Sequence, residues 1–426
     1  MESEWREASF SELCDITRGA SPRPIHEWIS TTGTPWVKIS DATASQSRFI
    51  TKTGEYIKNE ARRSSVVVNA GDLIVSNSAT PGIPKIMGIE ACIHDGWLLL
   101  RNLRGLDKMF AYYLLLRDRP ALVEQGNGSV FTNLKTEILK NHRVNIPPLA
   151  EQKRISGILG ALDDKIELNR RMNETLEQMA KALFKSWFVD FDPVHAKATG
   201  RHPAGMDKAT ADLFPDSFVD SELGKIPKGW EVARLGDEVV VTRGCSYKSE
   251  ELAASPTALV TLKSFKRGGG YRQDGLKAYT GAHKPAQVVR PGELVVSYTD
   301  VTQAAELIGR PAIVGSTEKF SKLVISQDVS VVRPSSHLTI SYLYRLMMEE
   351  SFKAHTYAHS TGTTVLHLSS NALPSFKFSK PSKELFMAFD QIAANLLKIN
   401  EVNNTQSRSL EAIRDTLLPR LLAGTA

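Results

Sequence analysis

The sequence predicts an α+β protein in which two similar mixed α/β domains are joined by two long antiparallel coiled-coil helices. Two observations predict this architecture: an internal repeat that runs through the chain, and a heptad-patterned segment at the end of each copy. Two copies of one unit, tied together by antiparallel helices, also predict a pseudo-twofold internal duplication.

The repeat consists of five pairs of matching segments that occur in the same order in both halves. The matching pairs are 17–19 with 242–244, 70–76 with 291–297, 106–116 with 338–348, 128–134 with 362–368, and 176–177 with 410–411. The offset lies between 221 and 232 residues in the first three pairs and is 234 in the last two. We therefore expect surface loops of variable length early in each copy and a rigid element at its end.

The rigid element is predicted to be a long helix in each copy, because apolar residues recur there at alternating spacings of four and three. About 36 residues at 1.5 Å each give a rod of roughly 54 Å. A lone heptad helix exposes its seam, so the two copies are expected to pair; packing on the helix's own domain or on another chain is the alternative. Asn169 and Asn403 occupy seam positions, where a buried Asn can fix the register; a solvated notch is the alternative. The residues predicted to pair the helices are Leu162, Leu176, Met179, Leu183, Leu396, Ile399, Leu410, Ile413 and Leu417.

The predicted organisation has five segments. They are a first domain at 1–147, a first helix at 148–190, a linker at 191–229, a second domain at 230–380 and a second helix at 381–426. The linker is rich in Pro, Gly and Asp and is expected to lie on the surface. Inside the domains, β-branched runs at 65–76 and 288–297 are interrupted by Gly-Asp or Gly-Glu, which predicts hairpin-like strand pairs.

Composition restricts the class of protein. The formal net charge is +6, and counting Lys and Arg against Asp and Glu gives +2 for residues 1–147 and +5 for residues 230–380, a balance that permits a polyanionic partner. No run of about 18 apolar residues occurs, which argues against a membrane span. The N-terminus lacks a signal peptide pattern, so we expect a cytoplasmic protein. Only 3 cysteines occur and none is in a CxxC pair, which excludes a disulfide scaffold and a thiolate zinc site.

Signatures of catalysis are missing from the sequence. The basic glycine-rich stretch 267–272 lacks the Lys-Ser/Thr of a phosphate-binding loop and is expected to be a flexible loop, with a nucleic-acid contact as the alternative. His355 and His359 have the spacing of two zinc ligands but lack the intervening Glu. Residues 163–165 (Asp-Asp-Lys) fall in the first helix and are expected on its solvated face. The chain is predicted to have two similar domains, two long helices of equal length and no catalytic motif. This combination favours recognition of a ligand with a repeating structure, such as duplex DNA, in which the same groove recurs about every 34–36 Å.

Several motifs are concentrated around the first helix and the linker. They are Ile146–Ile155 (IPPLAEQKRI), Leu162–Ile166 (LDDKI), Phe184–Val194 (FKSWFVDFDPV), Phe214–Phe218 (FPDSF) and Leu223–Trp230 (LGKIPKGW). With these motifs and the repeated order of domain and helix, nearly the whole chain resembles the specificity subunit of type I restriction–modification enzymes. The second copy departs from the pattern, because Pro381–Leu385 (PSKEL) replaces the Pro-Leu-Ala-Glu-Gln that opens the first helix.

The resemblance implies a non-catalytic role in recognition of double-stranded DNA. Each domain would act as a target-recognition domain for one half of a bipartite, asymmetric site, while the helices set the unread gap and dock two methyltransferase (M) subunits. Those partners use S-adenosylmethionine to methylate adenine N6, which requires the base to be flipped out. Restriction/translocase (R) subunits, which use ATP and Mg, would complete the complex. No cofactor, metal or membrane contact is expected for this chain itself.

Polar residues in loops that follow strands are the candidates for DNA contact, because hydrogen-bonding side chains read base edges and cations bind phosphates. Arg18 and Arg243 occupy repeated positions and are expected to serve phosphates. The other candidates are Lys38, Ser40, Asn77, Ser78, Thr80, Asn127, Ser129 and Thr132 in the first domain, and Lys263, Ser264, Lys266, Tyr298, Thr299, Thr361 and Thr363 in the second. The alternative for each is a turn-forming or solvated polar residue. For the whole chain, the alternatives are a stand-alone DNA-binding regulator, a cryptic nuclease or methyltransferase, and a coiled-coil scaffold.

Overall fold

A computed structural model of the chain describes residues 5–44, 47–125, 133–301 and 304–425. The contacts divide the chain into two compact units. The first unit contains Met1–Asn169 and Gln406–Ala426, and the second contains Arg170–Thr405. Each unit therefore holds one of the repeated domains together with part of both long helices.

The first copy of the repeat contains twelve strands among its described residues. They are β1 (Arg6–Ser9), β2 (Asp15–Arg18), β3 (Ile29–Ser30), β4 (Thr34–Val37), β5 (Phe49–Ile50), β6 (Glu55–Ile57), β7 (Val66–Val68), β8 (Leu73–Ser76), β9 (Pro84–Met87), β10 (Ala91–Ile93), β11 (Trp97–Arg101) and β12 (Arg143–Ile146). The α-helices are α1 (Phe10–Leu13), α2 (Ile39–Thr43), α3 (Lys108–Gln125), α4 (Thr136–Asn141) and α5 (Leu149–Phe188), and 3-10 turns occupy Ile25–Glu27 and Asn59–Ser64.

The second copy begins after α5. Its strands are β13 (Phe218–Ser221), β14 (Gly224–Pro227), β15 (Glu231–Arg234), β16 (Val239–Arg243), β17 (Thr257–Val260), β18 (Lys277–Ala278), β19 (Val288–Val289), β20 (Leu294–Ser297), β21 (Thr299–Asp300), β22 (Pro311–Ile313), β23 (Lys322–Ile325), β24 (Val329–Pro334), β25 (Ser360–Thr361), β26 (Leu366–Leu368) and β27 (Lys377–Lys380). Its α-helices are α6 (Asp192–Ala198), α7 (Lys208–Asp212), α8 (Leu235–Glu238), α9 (Ile340–Met348), α10 (Glu350–Ala358), α11 (Ala372–Ser375) and α12 (Lys383–Leu421). Its 3-10 turns are Ser249–Glu251, Leu262–Ser264, Gln273–Gly275 and Pro285–Gln287.

Both domains share two main sheets, and the second domain adds the three-stranded sheet β21-β26-β25. The order β2-β11-β8-β9 in the first domain corresponds to β16-β24-β20-β22 in the second, and β6-β4-β10-β7 corresponds to β18-β17-β23-β19. In each second sheet the central pair is parallel: β4 with β10, and β17 with β23. Edge pairs complete the domains, β1 with β12 and β15 with β27. The mixed α/β architecture and the internal duplication predicted from the sequence are therefore confirmed.

The β-branched runs form strands, but the hairpin-like pairing predicted for 65–76 and 288–297 is wrong. Each run supplies two strands that belong to different sheets. Gly71 and Gly292 both have φ of +90°, which favours glycine, and they redirect the chain between the sheets. In the first of these turns, the Asp72 carboxylate accepts a hydrogen bond from the backbone N–H of Asn69 at 2.7 Å.

The stretch 191–229 is structured, which corrects its prediction as a surface linker. It forms α6, α7 and the β13–β14 hairpin, and it contributes Val194, Phe214 and Ile226 to the main core of the second unit. The Phe214 ring lies edge-on to that of Trp187 at the end of α5, with 5.3 Å between centroids. Burial of these apolar side chains stabilises a fixed path for the segment, despite its Pro- and Gly-rich composition.

The long helices run antiparallel within each unit. In the first unit, Asp163 of α5 contacts Arg414 of α12, and Asn169 of α5 contacts Gln406 of α12. Residue numbers therefore increase along one helix in the direction in which they decrease along the other. In the second unit, Asn173 contacts Asn404, and the Phe188 ring contacts that of Phe389 with centroids 5.2 Å apart. The antiparallel coiled-coil pairing predicted from the heptads is therefore confirmed, and its centre is polar.

The heptad spacing was predicted correctly, and Asn169 (0%) and Asn403 (7%) are buried and donate hydrogen bonds to the opposite helix, as their predicted seam positions require. Elsewhere the inward-facing register is displaced by one residue. The inward-facing positions are 159, 163, 166, 170, 173, 177, 180, 184 and 187 on α5, and the same positions plus 234 on α12; all are buried or half-buried. The exposed residues Met179 (53%), Ile399 (44%) and Ile413 (48%) lie outside the seam, so their predicted role in pairing the helices is wrong. The other predicted pairing residues are half-buried beside the seam: Leu162, Leu176, Leu183, Leu396, Leu410 and Leu417. The error arose because polar residues occupy the middle of the true seam.

Candidate nucleic-acid interface

In the first domain, several loops converge on the turn between β10 and β11. The backbone carbonyl of Asp95, at the tip of this turn, accepts hydrogen bonds from Arg18 Nε at 2.9 Å and from Asn77 Nδ2 at 3.1 Å. The Asp95 carboxylate accepts from the Ser21 hydroxyl at 2.7 Å. The segments that follow β2 and β8 are thereby fixed to one rigid tip.

The second domain repeats this arrangement at the turn between β23 and β24. Arg243 Nη2 donates to the backbone carbonyl of Gln327 at 3.4 Å, as Arg18 does to Asp95. The backbone N–H of Tyr298, which follows β20, donates to the carbonyl of Asp328 at 2.7 Å. Strand β26 also joins this group, because the backbone N–H of its last residue, Leu368, donates to the Tyr298 carbonyl at 2.9 Å.

The repeated Thr-Arg-Gly motif explains how the arginines reach these tips. A Cβ on Gly19 would lie 2.1 Å from the carbonyl oxygen of His94, and one on Gly244 would lie 2.2 Å from that of Ile325. Because only glycine tolerates such a close approach, the end of β2 or β16 lies directly against the tip. The preceding arginine then extends over the tip and remains exposed.

Cationic side chains dominate the exposed part of these clusters. The side chains of Arg18 and Arg23 are 60% and 82% exposed, and one guanidinium nitrogen of each lies 3.8 Å from the Asp95 carboxylate. The hydrogen bond from Ser21 holds the pKa of Asp95 below its usual range, so this carboxylate stays charged near neutral pH. In the second domain, the Arg243 guanidinium lies over the Tyr298 ring, 4.8 Å from its centroid. Exposed guanidinium groups on fixed loops are suited to phosphate contacts.

Four residues predicted to touch DNA are buried, and for these the prediction is wrong: Asn77 (6%), Ser264 (0%), Tyr298 (1%) and Thr299 (4%). Asn77 donates to the Asp95 carbonyl, Thr299 donates to the Asp328 carboxylate at 2.9 Å, and Ser264 Oγ accepts from the backbone N–H of Thr261 at 3.2 Å. Their polar groups are used to hold the loops in place, because a buried polar group requires a hydrogen-bond partner.

The remaining candidates stay predictions. Thr361 is exposed and joins the second cluster, because it pairs with His367, which pairs in turn with Thr299. Lys38 forms an ion pair with Glu55 at 2.7 Å. The exposed candidates are Ser40, Lys263, Lys266 and Thr363, and the half-buried ones are Ser78 and Thr80. Asn127, Ser129 and Thr132 lie outside the described residues.

The two tips, Asp95 and Gln327, were missed by the sequence analysis. Each lies between two apolar strands, and in the first domain the His-Asp-Gly order at 94–96 is a recognisable turn signal. Their functional relevance becomes visible only through the arginines that converge on them from distant parts of the sequence.

Asp163 corrects another prediction, because it is buried (8%) and not on a solvated face. Its carboxylate accepts hydrogen bonds from Tyr113 Oη at 2.7 Å and from Arg414 Nη1 at 2.8 Å, and Arg48 lies 3.8 Å away. Burial lowers the pKa of Arg414, but the hydrogen bonds that its guanidinium donates to Asp163 and Asp415 hold that pKa above its usual range. The cluster joins both long helices to the first domain.

Neither metal chemistry nor a flexible phosphate loop is supported by the local geometry. The ring nitrogens of His355 and His359 contact the backbone carbonyls of Ala372 and His355, both at 2.8 Å. No group of three or more potential metal ligands occurs within the described ranges. The glycine-rich stretch 267–272, expected to be flexible, is tied to neighbouring backbone, with the Gly270 N–H donating to the Pro311 carbonyl at 2.9 Å.

Exposed apolar side chains form a stripe on one flank of the seam in each long helix, as the 100° per residue of an α-helix places them. They are Ile158, Leu168, Met172 and Met179 on α5, and Ile392, Ile399, Val402 and Ile413 on α12. Three pairs are separated by 234 residues: 158 with 392, 168 with 402, and 179 with 413. The duplication therefore extends to an outward surface, and this surface also contains the apolar residues wrongly placed in the seam.

Comparison with known proteins shows which family these features resemble. Residues 2–178 match the sequence model of the type I restriction modification DNA specificity domain. The second domain repeats the strand order of the first. The first domain and most of α5 therefore match a type I restriction modification DNA specificity domain.

The likeness to individual relatives extends along the whole chain. The chain is 23% identical to the Type I restriction enzyme HindI specificity subunit of Haemophilus influenzae, covering 99% of both chains. It is 24% identical to the MjaIX specificity subunit of Methanocaldococcus jannaschii, over 99% of this chain and 93% of that one. The crystal structure of a type I restriction–modification S subunit from M. genitalium shares the fold, with a TM-score of 0.57, 14% identity, and coverage of 99% and 96%. The resemblance to type I specificity subunits inferred from the motifs is confirmed.

Proposed function

We propose that this chain is the DNA-specificity subunit of a type I restriction–modification complex, in which each domain reads one half of a bipartite, asymmetric DNA site. The duplicated loop cluster is the observation that carries the proposal. Each copy places an exposed arginine, Arg18 or Arg243, over a turn that is fixed by hydrogen bonds from neighbouring loops. The two tips differ, with Asp95 in one and Gln327 in the other, which suits two different half-sites.

The long helices are proposed to set the unread gap between the half-sites. At 1.5 Å per residue, the 40 residues of α5 span about 60 Å, more than one 34–36 Å turn of duplex DNA. Inserting seven residues at the same seam position of α5 and α12 preserves the heptad register and should lengthen the preferred gap. A seven-residue insertion in the loop between α6 and α7 is the control. Retention of the original gap after lengthening both helices would contradict the spacer role.

The helices are also proposed to dock two adenine-N6 methyltransferase subunits through the exposed apolar stripe. Such a stripe on an otherwise charged helix suits a protein partner, and its repetition on both helices suits two copies of one partner. Met179→Glu and Ile413→Glu should each weaken binding of methyltransferase, measured by co-purification and analytical ultracentrifugation. Gln178→Glu and Ala412→Glu add the same charge one residue away, outside the stripe, and should bind normally. Equal binding by all four variants would place docking elsewhere.

The chemistry is proposed to reside in partner subunits, with S-adenosylmethionine, ATP and Mg bound there and none of them bound by this chain. R subunits would complete the restriction complex, and the site of action would be the cytoplasm. Among the described residues, no helix is both long and apolar enough to cross a membrane.

The decisive experiment combines the purified chain with its methyltransferase and sequences the methylated adenines in plasmid and genomic DNA. A single bipartite motif with a fixed gap is the expected result. S-adenosylmethionine- or Mg-dependent activity of the chain alone would instead identify a cryptic enzyme. Strong specific binding of DNA without methyltransferase would favour a stand-alone regulator, and no DNA interaction in any combination would favour a scaffold.

A further inference from the structure

The turn between β23 and β24 carries Gln327, an exposed residue whose side-chain amide has no hydrogen-bond partner among the described residues. A glutamine amide carries both a donor and an acceptor. By contrast, the equivalent Asp95 in the first domain already accepts from the Ser21 hydroxyl at 2.7 Å.

The backbone that carries this side chain is fixed on all sides. The N–H of Gln327 donates to the Cys245 carbonyl at 2.7 Å, and its own carbonyl accepts from Arg243 at 3.4 Å. The following residue, Asp328, accepts through its backbone from Tyr298 and through its carboxylate from Thr299. An exposed polar side chain on an immobilised turn loses little conformational freedom of the backbone when it binds, which is what sequence discrimination requires.

The neighbouring charge indicates the kind of ligand. The Arg243 guanidinium, exposed and stacked on Tyr298 with 4.8 Å to the ring centroid, lies next to the turn. DNA places a phosphate close to each base edge, so the Arg243 guanidinium could contact the phosphate while the Gln327 amide contacts the base. In the major groove, adenine offers the N7 acceptor and the N6 donor that a glutamine amide pairs with in bidentate fashion.

We propose that Gln327 reads an adenine in the second half-site, with Arg243 contacting the adjacent backbone phosphate. This inference rests on the proposed function, and it assigns the tip of the turn as the specificity-determining position of the domain. The corresponding tip of the first domain carries Asp95, whose carboxylate is engaged by Ser21 and lies 3.8 Å from Arg18 and Arg23, so the adenine contact is assigned to the second domain alone.

The test uses the complete methyltransferase complex, with methylated motifs sequenced for the wild type and for variants. Gln327→Ala should relax discrimination at one A·T pair of the second half-site by on the order of 10- to 100-fold, with the first half-site unchanged. Gln327→Glu, an acceptor only, should disfavour adenine there and shift preference toward cytosine. Asp95→Ala is the matched control and should alter only the first half-site. Arg243→Ala should lower affinity for all sequences and reduce the salt slope by about 1.

Each other outcome has a distinct meaning. Unchanged base preference in both Gln327 variants, or a change confined to the first half-site, would overturn the assignment while leaving the proposed function intact. A wild-type complex that methylates no bipartite motif would overturn the proposed function itself. Melting temperatures within about 2 °C of wild type are expected for both variants, because the side chain is exposed and unpaired.

Discussion

Replacing Asp163 by Ala is expected to destabilise the first unit by about 3–5 kcal/mol, the cost of leaving buried cations without their partner. The Arg48 side chain is 9% exposed and that of Arg414 is 22% exposed, and both lie against this carboxylate. Tyr113 would lose its acceptor as well. Arg48 Nε is already buried without a hydrogen-bond partner among the described residues. The carboxylates that the two cations would retain, Asp164 for Arg48 and Asp415 for Arg414, are 69% and 63% exposed, so they compensate little for the buried one.

Differential scanning calorimetry of the full chain is the assay. For a unit of this size, 1 kcal/mol corresponds to roughly 2–4 °C, so the expected fall in Tm is about 6–20 °C. Asp415→Ala is the control, because its carboxylate also binds Arg414 but is 63% exposed, and it should cost about 0–1 kcal/mol. Asp163→Asn retains an acceptor for Tyr113 and should recover only about 1 kcal/mol. A fall of less than 2 °C for Asp163→Ala would refute the reasoning.

Three further predictions concern packing, loop approach and pH. Phe184→Ala should lower the free energy of unfolding by about 3–5 kcal/mol because the ring is fully buried. Leu410 is only half-buried, so Leu410→Ala should lower it by less than about 2 kcal/mol in denaturant titrations. A larger loss for Leu410→Ala than for Phe184→Ala would contradict the observed seam. Gly244→Ala places a Cβ 2.2 Å from the Ile325 carbonyl oxygen and should weaken binding to the second half-site by on the order of 10-fold in competition assays, with the first half-site as internal reference. Burial lowers the pKa of Lys85 from 10.5 in the unfolded chain to about 8 in the folded protein. Between pH 8 and 10.5 the unfolded chain therefore binds a proton that the folded protein has lost, and the free energy of unfolding rises with pH over this range. Lys85→Met should therefore be more stable than wild type at pH 7, with an advantage that shrinks between pH 8 and 10.5; a constant advantage would exclude this linkage.

The sequence was sufficient for the fold because its strongest signals are repeated. The duplicated Thr-Arg-Gly motif and the constant offset of 234 residues are found by comparing the two halves of the chain with each other. They do not rely on the structural propensity of any one residue. The heptad register failed for a local reason. Ile399 and Ile413 are apolar and correctly spaced, yet they face outward, while polar residues such as Asn173 occupy the true seam. Periodicity alone cannot separate a pairing seam from an adjacent apolar stripe.

The candidate site was only partly predictable, for a different reason. Asn77 and Tyr298 occupy equivalent positions after strands, as expected for reading residues, but tertiary contacts bury both of them. Whether a polar residue in a turn faces outward or fixes its neighbours depends on which distant loop packs on it. Gln327 and Asp95 can be recognised as part of the candidate site only from their contacts with Arg243 and Arg18. Those residues are 84 and 77 positions away in the sequence.

A serine and a glycine close the loop after the third strand of each main sheet in the same way. Gly82 donates to the Ser76 carbonyl at 2.7 Å, and Gly309 donates to the Ser297 carbonyl at 3.0 Å. Five residues lie between the first pair and eleven between the second. The same closing hydrogen bond therefore accommodates two loops of different length. A change in loop length that leaves its first, buried residues in place is therefore compatible with the same strands on either side.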